Sequence, residues 1–137
     1  MSVCPACAFD PAATVVESWS MQLQSYCPTA NTLTGNTRTN HKYRQWRTRW
    51  EREFGAWLQS IPPAQKLRRV TITRLYGKGK RAYDRINFAA GQKPLLDVLT
   101  NFGALYDDNQ LWCQDHYVQA KSPDGNDYIA VLIEELL

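Results

Sequence analysis

Tyr43, Trp46, Trp50, Phe54 and Trp57 recur at steps of three and four residues, which lines their rings along one face of a helix. The spacing predicts a helix over residues 41–60, with Thr39 or Asn40 to cap its start and Pro62-Pro63 to end it. A second stripe, Phe88, Leu95, Val98, Leu99 and Phe102, predicts another helix, and Gly103 stands where a C-terminal cap glycine belongs. Pro94 either kinks this helix or marks the first turn of its regular part. Alternating or β-branched runs predict strands at "MQLQSY" (21–26), "RRVTITRLYG" (68–77) and "QLWCQDHYVQAK" (110–121). "YIAVLIEEL" (128–136) is apolar enough for a central strand, and "SPDGND" before it reads as the turn of a final hairpin. The order strand, helix, strand, helix, hairpin is that of a small α/β (α+β) domain with a mixed sheet and two main helices. Residues 1–20 show no clean period and read as an N-terminal extension, which leaves 21–137 as the domain.

Composition narrows this little. At 137 residues, 44% hydrophobic and 21% charged, the chain is an ordinary single globular domain. No apolar run approaches the ~18–20 residues of a membrane span, and no basic residue precedes a short apolar core at the N-terminus. We therefore expect a cytoplasmic protein with no membrane partner. "CPAC" places Cys4 and Cys7 at the spacing of half a zinc site or of a redox pair, but no second such pair follows, and His41 and His116 lack ligand spacing. Free thiols are the favoured reading, with Cys27 and Cys113 included.

Charge changes the picture through its distribution. The net charge is only +3, yet basic residues cluster between Lys42 and Lys80. The first helix carries Arg44, Arg47, Arg49 and Arg52 against Glu51 and Glu53, which suits a solvated face with ion pairs or a phosphate-facing surface. In "KGKRAYDRIN", Lys78, Lys80 and Arg81 run into Asp84. Beyond it lie Asn87, Lys93, Asp97 and the pair Asp107-Asp108. Carboxylates are the hard ligands that Mg²⁺ takes together with phosphate oxygens, and a nearby lysine can offset charge on a phosphoryl transition state. The intervening helix spans roughly 22 Å, so Asp84 and Asp108 meet only if the chain after Gly103 turns back along it. On spacing alone, Asp107-Asp108 also reads as a plain turn and Lys93–Asp97 as an ordinary surface pair.

"YDRINFAAGQKPLLDVLTNFGALYDDNQ" resembles the core of RusA-type Holliday junction resolvases, especially phage-borne ones. More weakly, so do the first strand with "PTAN" (28–31) and the last two strands, leaving residues 1–20 outside. The resemblance implies a Mg²⁺-dependent homodimer that nicks four-way DNA junctions, with no small-molecule cofactor. It carries Asp84 to the first motif aspartate, Asn87 to the asparagine, Lys93 to the catalytic lysine and Asp108 to the last metal ligand. Arg44, Arg47, Arg52, Lys78, Lys80 and Arg81 would then be phosphate contacts. One position departs: Ile86 stands where the family has its second aspartate, and isoleucine coordinates nothing. Asp107 is the candidate replacement ligand; otherwise the chain is a junction binder with weakened cleavage.

Overall fold

A computed structural model of the chain describes residues 12–33, 41–107, 109 and 111–137. These form β1 (Val15–Gln24), α1 (Ala30–Leu33, a single turn), α2 (His41–Gln59), β2 (Arg68–Tyr76), α3 (Arg85–Gly91), α4 (Lys93–Asn101), β3 (Cys113–Lys121) and β4 (Tyr128–Leu136). The strands make one mixed sheet in the order β1-β4-β2-β3, with β2 and β3 parallel and the other pairings antiparallel. The expected α/β class with a mixed sheet is what the chain adopts, and "YIAVLIEEL" is indeed an inner strand.

The helices cover one face of that sheet. Trp50, Phe54 and Leu58 of α2 and Leu95, Val98 and Leu99 of α4 are buried with Val70, Ile72, Ile129, Val131 and Ile133, which alternate along β2 and β4. Each of the first aromatic rings meets the next, from Trp46 to Trp50 at 5.1 Å, Phe54 at 5.6 Å and Trp57 at 6.0 Å between centroids. Four members of the stripe predicted for α2, Trp46, Trp50, Phe54 and Trp57, therefore lie in or against the core, while Tyr43 is half-buried and outside it. Among the described residues, no helix is long and apolar enough to cross a membrane.

Three expectations change. The first strand begins at Val15, and residues 17–20 already pair with β4, so residues 15–20 of the supposed extension belong to the sheet. Trp19 packs on the core, and the Arg68 guanidinium lies 4.6 Å from its ring centroid. The signal was hidden because this edge strand is polar on its other face, at Ser18, Ser20, Gln22 and Gln24. Cys4, Cys7 and the proposed caps Thr39 and Asn40 lie outside the described residues.

Second, the last two strands are not a hairpin. β2 lies between β3 and β4, so the turn "SPDGND" passes over the exit of β2. There Gly125 O accepts from Lys78 N at 3.0 Å, and Asp127 Oδ1 accepts from Gly77 N at 2.7 Å. A Cβ on Gly77 would lie 2.5 Å from Gly125 O, so this crossing requires glycine.

Third, the second long helix is two helices broken at Gln92. Pro94 in the first turn of α4 lacks an N–H, and its ring cannot pass the carbonyl four residues earlier. The fully buried Gln92 makes use of the break: its Nε2 donates to Pro28 O at 3.0 Å and Phe88 O at 3.2 Å. The "PTAN" turn packs so closely on α3 that a Cβ on Gly91 would stand 2.4 Å from Pro28 O.

A chain starting at Met21 loses the first half of β1 and the Trp19 contact. Its unfolding free energy should fall by about 2 kcal/mol, the scale of one large apolar side chain, as read from urea denaturation. An unchanged midpoint would show that residues 15–20 add nothing to the sheet.

Candidate functional site

Asp84 owes its position to a buried polar lock. Arg74, on β2, faces Gln119 of β3 across the parallel pairing, and its Nη1 donates to Gln119 Oε1 at 2.8 Å and to Arg81 O at 3.1 Å. Gln119 then holds both backbone groups of Tyr83, accepting from its N–H at 2.8 Å and donating to its carbonyl at 3.0 Å. The Arg74 guanidinium lies 3.5 Å from the centroid of the Tyr83 ring, and the Tyr83 hydroxyl donates to Cys27 O at 3.2 Å. The next residue is Asp84. Sequence reasoning missed this lock, whose only trace was polar residues at alternating strand positions.

Asp84 is the N-cap of α3, where Oδ2 accepts from Asn87 N at 3.1 Å. The carboxylate is otherwise exposed. The Asn87 side chain turns the other way and accepts from Asn31 N at 3.2 Å, joining the "PTAN" turn to the helix start. Lys93 stands at the start of α4, 53% exposed, with Nζ 3.0 Å from Asp97 Oδ1. Asp97 also accepts from the Tyr43 hydroxyl, which ties α4 to α2. The predicted Lys93–Asp97 pair thus forms.

Asp84 and Asp107 do not meet. Asp84 sits at the level of Gln119, toward the end of β3. Asp107 sits just before its start, where Asp107 Oδ2 accepts from Asn109 Nδ2 at 3.0 Å and Asn109 O accepts from Cys113 N at 2.9 Å. Six residues of strand, about 20 Å, separate those levels. The chain after Gly103 does not turn back along the helix, so Asp107 is no substitute ligand beside Asp84 within one chain. Asp108 lies outside the described residues. Among the described residues, no group of three or more His, Cys, Asp and Glu is placed to hold a metal ion.

Ile86, in the first turn of α3, is 75% exposed, so it is not an apolar anchor. The basic residues divide. Arg47 pairs with Glu51 at 3.3 Å and Arg52 with Glu53 at 3.7 Å, exposed pairs of small energetic weight, while Arg44 is exposed. Lys78 and Arg81 are exposed, and Lys80 is ion-paired with Asp127. Cys27 is buried, and that burial pushes its thiol pKa up to about 12, which makes it a poor nucleophile.

No known family model matches the chain, and comparison with curated proteins gives no match.

Two outcomes follow from this geometry. Ile86→Asp should leave stability within about 0.5 kcal/mol in thermal melts, because the position is exposed and an acid suits a helix start. A large loss would mean that Ile86 packs against something. The turn over β2 should weaken in acid. Hydrogen bonds from Tyr128, Asn126 N–H and Ser122 hold Asp124 at about 2, against an ordinary 3.8. At Asp127, partial burial works upward, but hydrogen bonds from Lys80 and Gly77 N–H with the charges of Lys80 and Arg74 leave the pKa lowered. Lowered folded-state values mean stabilisation that is present above the unfolded value and lost as pH falls through the folded one. The melting temperature of an Asp124→Asn/Asp127→Asn variant should therefore fall less steeply than that of the native chain between 3.8 and about 2. Parallel curves would show that the two carboxylates do not carry the acid response.

Proposed function

We propose that the chain is a RusA-like, Mg²⁺-dependent endonuclease acting on branched DNA. The observation that carries this reading is Asp84, an exposed carboxylate on a rigid helix start, at the end of the loop holding Lys78, Lys80 and Arg81. Backbone phosphates suit those cations, and the Arg74–Gln119–Tyr83 lock sets where the carboxylate stands relative to them.

The fit to Mg²⁺ is incomplete in one chain. Mg²⁺ takes one or two carboxylates plus substrate phosphate oxygens, and Asp84 supplies one. Asp107 lies at the far end of α3 and α4, so a site that uses it together with Asp84 needs a second copy of the chain. A homodimer, with Asp84 of one copy against Asp107 and Asp108 of its partner, meets that need. Bound Mg²⁺ would polarise a phosphoryl oxygen there. Of the chain's own groups, Asp84 orients the site, and Lys93, released from Asp97, offsets charge on the departing oxygen. With Ile86 in place of an aspartate, the donor set is poorer, which favours slow cleavage over none.

The test is nicking of a synthetic four-way junction with and without Mg²⁺, alongside binding at several salt concentrations. The native chain should bind with a steep salt dependence and nick only with Mg²⁺. Asp84→Asn should lose nicking at least ~100-fold, the scale of a lost transition-state contact, yet stay folded, because asparagine caps a helix as well as aspartate. Mixing the inactive Asp84→Asn and Asp108→Asn chains should restore part of the activity, since a mixed dimer keeps one intact site. Absence of salt-dependent junction binding would overturn the reading, and binding without nicking would leave a junction-binding protein.

A further inference from the structure

A cleft of about 430 Å³, the size of a small-ligand site, opens between the end of β1, the loop after β2 and the turn that crosses it. Its lining includes Tyr26, Arg49, Lys78, Lys80, Asn126 and Asp127. We propose that it takes one unpaired nucleotide of a nucleic-acid strand, with the base on the Tyr26 ring and the phosphate on Arg49 and Lys78. The proposal deepens the nucleic-acid part of the reading above and does not require cleavage.

Arg49 is held for such a task. Its guanidinium lies 5.2 Å from the Tyr26 ring centroid, 5.0 Å from that of Trp46 and 5.7 Å from that of Trp50, and Nη2 donates to Ser25 Oγ at 2.8 Å. These contacts fix its plane without neutralising it: among the described residues no carboxylate pairs with Arg49. Its Nε is buried without a hydrogen-bond partner, so any donation to a ligand in the cleft falls to the Nη groups. Lys80 is taken by Asp127, the one carboxylate that lines the cleft among the described residues, and Lys78 adds a further exposed cation. The balance of charge is positive.

The second requirement is a flat apolar surface at the rim. Tyr26 is 52% exposed although its ring meets Trp46 edge-on at 5.1 Å, so it is braced from one side and open on the other. An aromatic beside excess cations matches a ligand with a π-face and a phosphate. In a duplex the base faces are covered by their neighbours, which singles out an unpaired nucleotide. An inorganic anion would use the cations and leave Tyr26 idle. Lys80 and Asp84 are four residues apart, at most about 14 Å of chain, so the cleft adjoins the candidate metal ligand. A branch point supplies unpaired or loosely stacked bases at that range.

The test measures binding of the full chain to labelled oligothymidylate, to a duplex and to a four-way junction by fluorescence anisotropy. Tyr26→Leu should weaken oligothymidylate binding about tenfold, with Tyr26→Phe close to native, and Lys78→Ala should weaken it and reduce its salt dependence. Duplex binding should change much less with Tyr26→Leu. Native-like binding by folded Tyr26→Leu would overturn the proposal, as would equal losses on duplex and single strand. So would displacement of the oligonucleotide by inorganic phosphate as readily as by thymidine monophosphate, which would mark an anion site only. Junction binding that persists when the Tyr26 result fails sinks the cleft and spares the reading above. Tyr26-dependent single-strand binding without junction binding does the reverse.

Discussion

The parallel pairing of β2 with β3 is the constraint on which the candidate site depends. Strands that run the same way cannot be joined by a tight turn, so the chain must travel back along the sheet before β3 begins. Helices α3 and α4 make that return. Their start therefore lies at the Arg74–Gln119 end of the strands and their finish at the Arg68–Cys113 end. Asp84 and Asp107 bracket the two helices, and the same geometry that buries Leu95 and Leu99 holds those carboxylates apart.

The arginines show how little net charge says about a surface. Arg68 is 1% exposed, donates to Glu135 and to Ala104 O at 3.0 Å, and lies over Trp19. Arg69 meets Glu134 at 3.0 Å, again directly across from β2 to β4. Buried guanidinium groups are tolerated only when their donors are used, and these pairs, with the Arg74 lock, spend three cations inside the fold. Removing one partner would leave an uncompensated charge, so these residues enforce register rather than face a polyanion. Among the described residues, Arg49 in its aromatic cradle lines a cleft with Lys78 and Lys80 where β1 ends and β2 leaves the sheet, a neighbourhood built from segments far apart in the chain.

Much of the fold was legible in the residue pattern. Aromatic residues at steps of three and four can bury one face only as a helix, and α2 follows that stripe from His41 to Gln59. β-branched alternation marked β2, and the apolar run at the end of the chain marked an inner strand. The Lys93–Asp97 pair is a short-range feature set by helix geometry, so its spacing encodes it. The edge strand before Met21 was not legible, because one half-buried face among serines and glutamines leaves a weak period.

Strand order was decided by tertiary structure alone. Nothing in "SPDGND" says whether the strands beside it pair with each other or admit β2 between them, because both outcomes bury the same apolar residues. That choice turned an expected hairpin into a crossing and placed Asp127 against Gly77 and Lys80. It also put Gln119 beside Arg74 and so positioned Asp84. Local patterning determines which residues form helices and strands and which face each buries, because those depend on neighbours a few positions away. Which side chains share a site depends on the pairing of distant strands, and that is settled only when the whole sheet closes around its buried arginines and aromatic core.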